Sequence, residues 1–170
     1  MAVTSEEGGR GTFFMILGIT GSRSVTDFDF SPYFHLLDNE FKTFCSNHYT
    51  GSLAVTCVIT GGAGGVDTTA YDTAQRYGIE NLRILPDRSK YPGIQIFKAL
   101  EKRNQEIVEK CDILLAVWDG SSHGTRNTIK IAEKLGKPCF TVYCPDRCRK
   151  SSSTHKARSQ QKRQDTAVLP

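Results

Sequence analysis

Three short stretches carry residue types suited to holding a phosphate, and each follows an apolar run. The first is Gly18-Ile19-Thr20-Gly21-Ser22-Arg23. A glycine lets the backbone approach a ligand, a hydroxyl donates a hydrogen bond, and an arginine offers a planar fork to phosphate oxygens. The same residues also make an ordinary strand-to-helix turn with Arg23 in solvent. The second is Thr60-Gly61-Gly62-Ala63-Gly64-Gly65-Val66-Asp67, which opens into a helical pattern. Four glycines in five residues cost conformational entropy on folding, and a mere turn does not require them. Their use is to aim backbone N–H groups, backed by a helix N-terminus, at an anion. Asp67 has two readings, a helix-start residue or an acceptor for a ribose hydroxyl. The third stretch, Trp118-Asp119-Gly120-Ser121-Ser122-His123-Gly124-Thr125, is another Gly- and hydroxyl-rich helix entry. His123 by itself reads as a surface histidine. No Gly-Lys-Ser/Thr follows the second stretch, so it is not a Walker loop, and no Gly-x-Gly-x-x-Gly follows the first run. Neither a Ser-His-Asp triad nor a His-Glu-x-x-His zinc site is legible.

The elements that must position these stretches alternate. Phe13–Thr20, Leu53–Thr60, Leu82–Leu85, Asp112–Trp118 and Pro138–Tyr143 are apolar, β-rich runs. Helical spacing fills the intervals over Pro32–Asn47, Asp67–Tyr77, Ile96–Lys110 and Thr125–Leu135. On the first helix Phe34, Leu37, Phe41 and Phe44 share a face, and on the third Phe97, Leu100, Asn104, Ile107 and Cys111 do. Strands apolar on both faces and separated by helices are buried parallel strands. The expectation is an α/β fold, a Rossmann-like open parallel sheet of about five strands in the order 3-2-1-4-5, with helices on both faces. That order sets the loops after strands 2, 1 and 4 side by side, where open α/β sheets bind ligands.

The 170 residues suffice for one domain with a real core. The net charge of +4 is uneven: residues 146–170 hold seven Lys or Arg and two Asp, leaving 15 basic against 16 acidic residues in 1–145. A basic face on the globular part is therefore not indicated. The organisation expected is a disordered N-terminus over 1–12, a domain over 13–144, and a basic disordered tail over 145–170. That tail either keeps the chain soluble or attracts nucleic acid weakly. No apolar run approaches the ~20 residues of a membrane helix, and no basic start leads into an apolar stretch. The expectation is a soluble cytoplasmic protein with no membrane partner. The six cysteines read as reduced thiols; Cys139, Cys144, Cys148 and His155 lack the short paired spacing of common zinc sites, and no metal is expected.

The combination of Gly21-Ser22-Arg23, Gly61-Gly62-Ala63-Gly64-Gly65-Val66-Asp67 with Ala70 behind it, Lys102-Arg103-Asn104, and Asp112 to Trp118 followed by Gly120 and Gly124-Thr125 resembles the SLOG superfamily. Ile129, Ala132 and Gly136-Lys137-Pro138 continue the pattern, so the resemblance covers about residues 14–143. It is nearest the YspA-like branch, and is shared with the LOG phosphoribohydrolases and the DprA Rossmann-like domain. It implies a crevice for a small phosphorylated nucleoside, a mononucleotide or an ADP-ribose-like molecule, in a sensor, carrier or sequestering module with no cofactor. Phosphate would be held by Ser22, Arg23, the N–H groups of Gly62, Ala63, Gly64, Gly65 and Val66, and those of Gly124 and Thr125. Gly21, Gly61, Asp119, Gly120 and Ser122 would complete the crevice, and Asp67, Arg103 and Asn104 would orient ribose or base. Arg103 also has a plainer reading, a surface pair with Glu106.

The resemblance also supplies two rivals. LOG enzymes cleave an N-glycosidic bond with a glutamate whose position here falls on Thr128, leaving Asp119 or Asp67 as candidate acids for a nucleotide hydrolase. DprA proteins bind single-stranded nucleic acid, which the basic tail would help. Homodimers are common among such relatives, and one is expected here. Trp118 packs at its strand end or stacks on a base; Tyr91-Pro92-Gly93 makes a turn or a lid; Asp27, Phe28 and Asp29 lie in a helix-entry loop, with Asp27 at the rim.

Overall fold

The computed structural model describes residues 11–91 and 93–145. The ends expected to be disordered lie almost wholly outside the described residues, as do Cys148 and His155. Five strands form one parallel sheet in the order β3-β2-β1-β4-β5, with β1 at Thr12–Gly21, β2 at Ser52–Thr60, β3 at Glu80–Arg83, β4 at Ile113–Trp118 and β5 at Cys139–Tyr143. The predicted order and pairing therefore stand, with β1 beginning at Thr12. Among the described residues no helix is long and apolar enough to cross a membrane.

Alternation along the central strands sorts the core into two clusters. Met15, Leu17 and Ile19 of β1 and Ile113, Leu115 and Val117 of β4 face helices α1 (Ser31–Phe34), α2 (Asn39–His48) and α3 (Val66–Arg76). Leu114 points the other way, with Ile59, onto α4 (Ile96–Lys110) and α5 (His123–Lys134), where Ile107, Val108 and Ala132 meet it. Side chains on opposite faces of a pleated strand need cover on both sides, and the two helix layers supply it. The α1–α3 and α4–α5 layers diverge between β1 and β4, which is where the chain reverses its direction of travel across the sheet.

Two elements differ from the sequence expectation. The single helix expected over Pro32–Asn47 is two, broken where Leu36 adopts φ 52°. Asp38 restarts it, its carboxylate accepting from the Phe41 N–H at 2.8 Å. Apolar spacing ran through this break, and Leu37, placed on the buried face by that spacing, is 71% exposed. β3 lies two residues before the apolar segment Leu82–Leu85, pairing Cys57 with Glu80 and Thr60 with Arg83. An edge strand is held by its ladder, not by burial, so its side chains gave a misleading register.

Asp112 ties the start of β4 to β1. Its carboxylate accepts from the Ile16 N–H at 2.7 Å, and its own N–H donates to the Ile16 carbonyl at 2.8 Å. This pairing falls at the irregularity in the β1–β2 register between Met15 and Ile16. Among the described residues the cysteines are free thiols. Burial raises the thiol pKa of Cys45 to about 11 and of Cys111 to about 12, which keeps both in the unreactive form.

Candidate functional site

A cleft of ≈ 640 Å³ opens at the carboxyl ends of β1, β2 and β4. One wall is the Gly-rich loop leading to α3, another is the entry to α5, and α4 closes the third side. The three phosphate-type stretches thus converge where the strand order placed them. Of the candidate residues, Gly21, Arg23, Gly61, Ala63 and Asp67 line the cleft, as do Arg103, Asn104, Asp119, Ser122, Gly124 and Thr125.

Ser22, Gly62, Gly64, Gly65, Val66 and Gly120 do not line it, for physical reasons that differ. Ser22 is fully buried; its hydroxyl accepts from the Asp119 N–H at 3.1 Å and so joins the first loop to the third. Val66 is buried against Gly21, where a Cβ would stand 2.4 Å from a Val66 methyl. Gly65 needs its left-handed φ of 72° to pass the Arg23 backbone. Gly62 has φ 66° beside Leu85, and Gly120 has φ 83° beside the Tyr143 ring. Gly64 is exposed and has open space around it.

Two aspartates hold the loops from within. Asp67, in the first turn of α3, turns its carboxylate back to accept from the Gly61 and Ala63 N–H groups, both at 3.1 Å. The Ala63 donor, expected to face a phosphate, is therefore already occupied, and so is that of Gly61. Asp119 does the same in the third loop, accepting from the Ser121 and Ser122 N–H groups at 2.8 Å and from the Ser24 hydroxyl at 2.7 Å. Burial raises its pKa, but hydrogen bonds from the Ser122 N–H, the Ser24 hydroxyl and the Ser121 N–H outweigh it and hold the carboxyl far below the usual carboxylate range. A group held ionised in this way is a poor proton donor and better suited to accepting a proton or stabilising positive charge.

Asp67 is the opposite case. It is 6% exposed, and burial lifts its pKa to about 6 against the pull of the Ala63 N–H, Arg103, the Gly61 N–H and Arg23. Relative to the unfolded chain, the folded protein therefore favours its protonated form. Its contribution to stability is complete below pH 3.8 and is lost as pH rises through about 6, roughly 3 kcal/mol across that window. Asp67→Asn keeps an oxygen for both N–H groups and cannot ionise. Urea midpoints at pH 4 and pH 7 should show the variant gaining about 2–3 kcal/mol on the parent as pH rises. A gap that stays constant with pH would mean that Asp67 titrates as an ordinary surface acid.

Two arginines complete the cleft. Arg103 donates from Nη1 to the Gly61 carbonyl and from Nε to Asn104 Oδ1 at 2.9 Å. It is not paired with Glu106, which bonds Lys110 at 2.6 Å. Arg23 is exposed at the mouth. Among the described residues neither arginine has a carboxylate within 4.0 Å. Opposite them α5 begins with Ser122 as its cap, the Ser122 hydroxyl accepting from the Thr125 N–H at 3.4 Å. The His123 and Gly124 N–H groups of that first turn have no partner within the helix, and no acidic residue occupies it.

Sequence reasoning overlooked other lining residues. Thr20, Ser24, Glu101 and Asn127 are polar contributors, and Phe97 and Leu100 form an apolar strip. The helical spacing of Phe97, Leu100, Asn104 and Ile107 was visible in the sequence, but spacing alone does not say whether the shared face meets the core or a cleft. Trp118 stands away from the cleft: its Nε1–H donates to the Ser122 carbonyl at 3.1 Å and its ring meets Tyr143 edge-on. Among the described residues no cluster of metal-ligating side chains occurs.

No protein-family model matches the chain, and no curated protein matches its sequence. Among solved structures the chain is similar to DNA processing protein A (DprA) from Streptococcus pneumoniae, with 17% identity and a TM-score of 0.50 over 86% of this chain and 56% of that one. A protein from Listeria monocytogenes described as a UDP-N-acetylglucosamine 2-epimerase matches at 14% identity and a TM-score of 0.38, over 76% of this chain and 30% of that one. The chain spans little more than half the length of the DprA chain, and the likeness is one of fold: a DprA-like, Rossmann-like sheet.

Proposed function

We propose that the protein binds a small phosphorylated nucleoside in the switch-point cleft, as a sensor, carrier or sequestering module of the SLOG type, nearest its YspA-like branch. The observation that carries this reading is one cleft in which two arginines without carboxylate partners face the open first turn of α5. An unpaired guanidinium and unfilled helix N–H groups favour the same ligand charge, and a phosphate satisfies both. The phosphate therefore belongs between Arg23 and the His123–Gly124 backbone. It does not belong on the Gly61 and Ala63 amides, which Asp67 occupies. Arg103 and Asn104, fixed to each other, present the adjoining polar wall to the ribose.

A thermal-shift screen with mononucleotides, ADP-ribose, ribose 5-phosphate and a short single-stranded oligonucleotide tests this. A ligand at about 100 times its Kd adds about 2.7 kcal/mol, or roughly 5–10 °C in Tm for a domain of this size. Shifts with nucleoside phosphates are the expected result. A shift with the oligonucleotide alone would favour nucleic-acid binding, the reading suggested by the DprA-like fold.

One observation favours a second reading. A carboxyl with a pKa of about 6 lining a cleft suits general acid–base work near neutral pH, so a nucleotide hydrolase would use Asp67. Hydrolysis of the N-glycosidic bond adds water to the sugar carbon, and the departing base takes up a proton. Release of free base by the parent protein, abolished in Asp67→Asn with ligand binding retained, would establish it.

A further inference from the structure

We propose that Phe97 is the platform on which the ligand's base stacks, which makes the cleft specific for nucleotides over sugar phosphates. The inference rests on the phosphate-binding reading above and assigns the end of the cleft that reading leaves open. Phe97, Leu100, Asn104 and Ile107 recur at helical spacing and all line the cleft, so one stripe of α4 forms its wall. Along that stripe exposure runs from 2% at Ile107 on the floor to 71% at Phe97 at the mouth.

A phenylalanine so exposed, on the first turn of a helix whose other apolar residues are buried or half-buried, costs solubility without serving the core. Its neighbours on the wall are Leu100 and, one position further, Glu101. The polar residues that orient a ribose, Arg103 and Asn104, lie further along the same helix. Phe97 and Asn104 are two turns apart, about 10 Å along the axis, which is the scale of a nucleoside monophosphate. The cleft is thus polar at one end and aromatic at the other. A phosphate and a pentose fill only the polar end. A purine is the flat, apolar-faced group that covers the ring while leaving its edges to solvent and to Glu101.

Trp118, another aromatic on this rim of the sheet, is not available: its indole N–H and ring are engaged with Ser122 and Tyr143.

Calorimetric titration of the full chain with adenosine 5′-monophosphate and with ribose 5-phosphate tests the platform, using the parent, Phe97→Ala and Phe97→Tyr. In the parent the nucleotide binds about five-fold to hundred-fold more tightly than the sugar phosphate. Phe97→Ala abolishes that preference and leaves ribose 5-phosphate affinity within about two-fold, whereas Phe97→Tyr retains the preference. Melting temperatures of both variants stay near that of the parent, because the side chain is exposed. Equal affinity for the two ligands in the parent would overturn the platform while the phosphate site stands. So would equal losses for both ligands in Phe97→Ala, or a parent dimer that this variant dissociates with the base preference intact. Absence of binding by either ligand would overturn the phosphate reading and the platform with it.

Discussion

Replacing Gly65 by alanine lowers Tm by about 6–15 °C, whereas the same change at Gly64 leaves Tm within about 2 °C or raises it slightly. The two residues are adjacent in a loop that composition treats as uniform. At Gly65 φ is 72°, and a Cβ would lie 2.5 Å from the Arg23 carbonyl oxygen and 2.6 Å from the Arg23 Cα. Both partners are backbone, so neither can swing aside. Left-handed strain and overpacking against main chain together cost about 2–4 kcal/mol. Gly64 has an ordinary φ and open space, so its methyl meets nothing and only narrows the unfolded ensemble. Thermal melts of the two variants decide the matter. Equal effects at both positions would mean that the loop does not hold the conformation described.

Arg23→Ala lowers affinity for a nucleoside monophosphate by about ten-fold to hundred-fold with Tm unchanged within about 2 °C. A charge-assisted hydrogen bond to phosphate contributes about 1.5–3 kcal/mol. Arg23 is exposed and lacks a carboxylate partner within 4.0 Å among the described residues, so its removal leaves no buried group unpaired. Arg23→Lys keeps the charge and loses the fork, and falls between the two. Arg103 is the instructive contrast. It is half-buried, its guanidinium supports the Gly61 carbonyl, and it attracts the Asp67 carboxylate, so Arg103→Ala weakens the fold as well as binding. Titration calorimetry paired with melts separates the two arginines. An Arg23→Ala protein that binds as tightly as the parent would move the phosphate elsewhere.

The Gly65 and Arg23 results are linked, because the backbone that Gly65 clears is that of Arg23. The Gly-rich loop thus has a different task from the one its composition suggests. Its glycines serve chiefly to let two loops pass at contact distance, and Asp67 takes the amides they turn inward. On the proposed reading, the phosphate is met by the amides at the start of α5.

Much of the sheet was legible because β1, β2 and β4 are apolar runs in the interior of a parallel sheet, where burial on both faces writes itself into composition. The edge strand β5 was legible from its apolar residues although none of them is fully buried. β3 was displaced because an edge strand carries no such record: Leu82 and Leu85 are 45% and 67% exposed. The break in the first helix had a local signal, Asp38 three residues before Phe41, but apolar spacing continued across it. At the cleft, residue types located the loops, and strand order brought them together. What the sequence could not disclose was which donors are spent internally. Whether Asp67 faces a ribose or its own loop depends on a left-handed turn at Gly65, and whether Asp119 is a proton donor depends on two serine amides and the Ser24 hydroxyl. Phe97 was not singled out for a related reason: periodicity identifies a shared face of α4 but not how far the sheet extends beneath it.

The most direct test of a nucleotide cleft is a calorimetric titration of the full chain with adenosine 5′-monophosphate at two salt concentrations, beside a single-stranded oligonucleotide. The account predicts saturable, one-site binding of the mononucleotide, weakened ten-fold or more in Arg23→Ala and falling with salt only as shallowly as one phosphate contact requires. The contradicting result is no heat from the mononucleotide together with oligonucleotide binding that falls steeply with salt, which is the behaviour of many phosphate-backbone contacts and not of a single phosphate site.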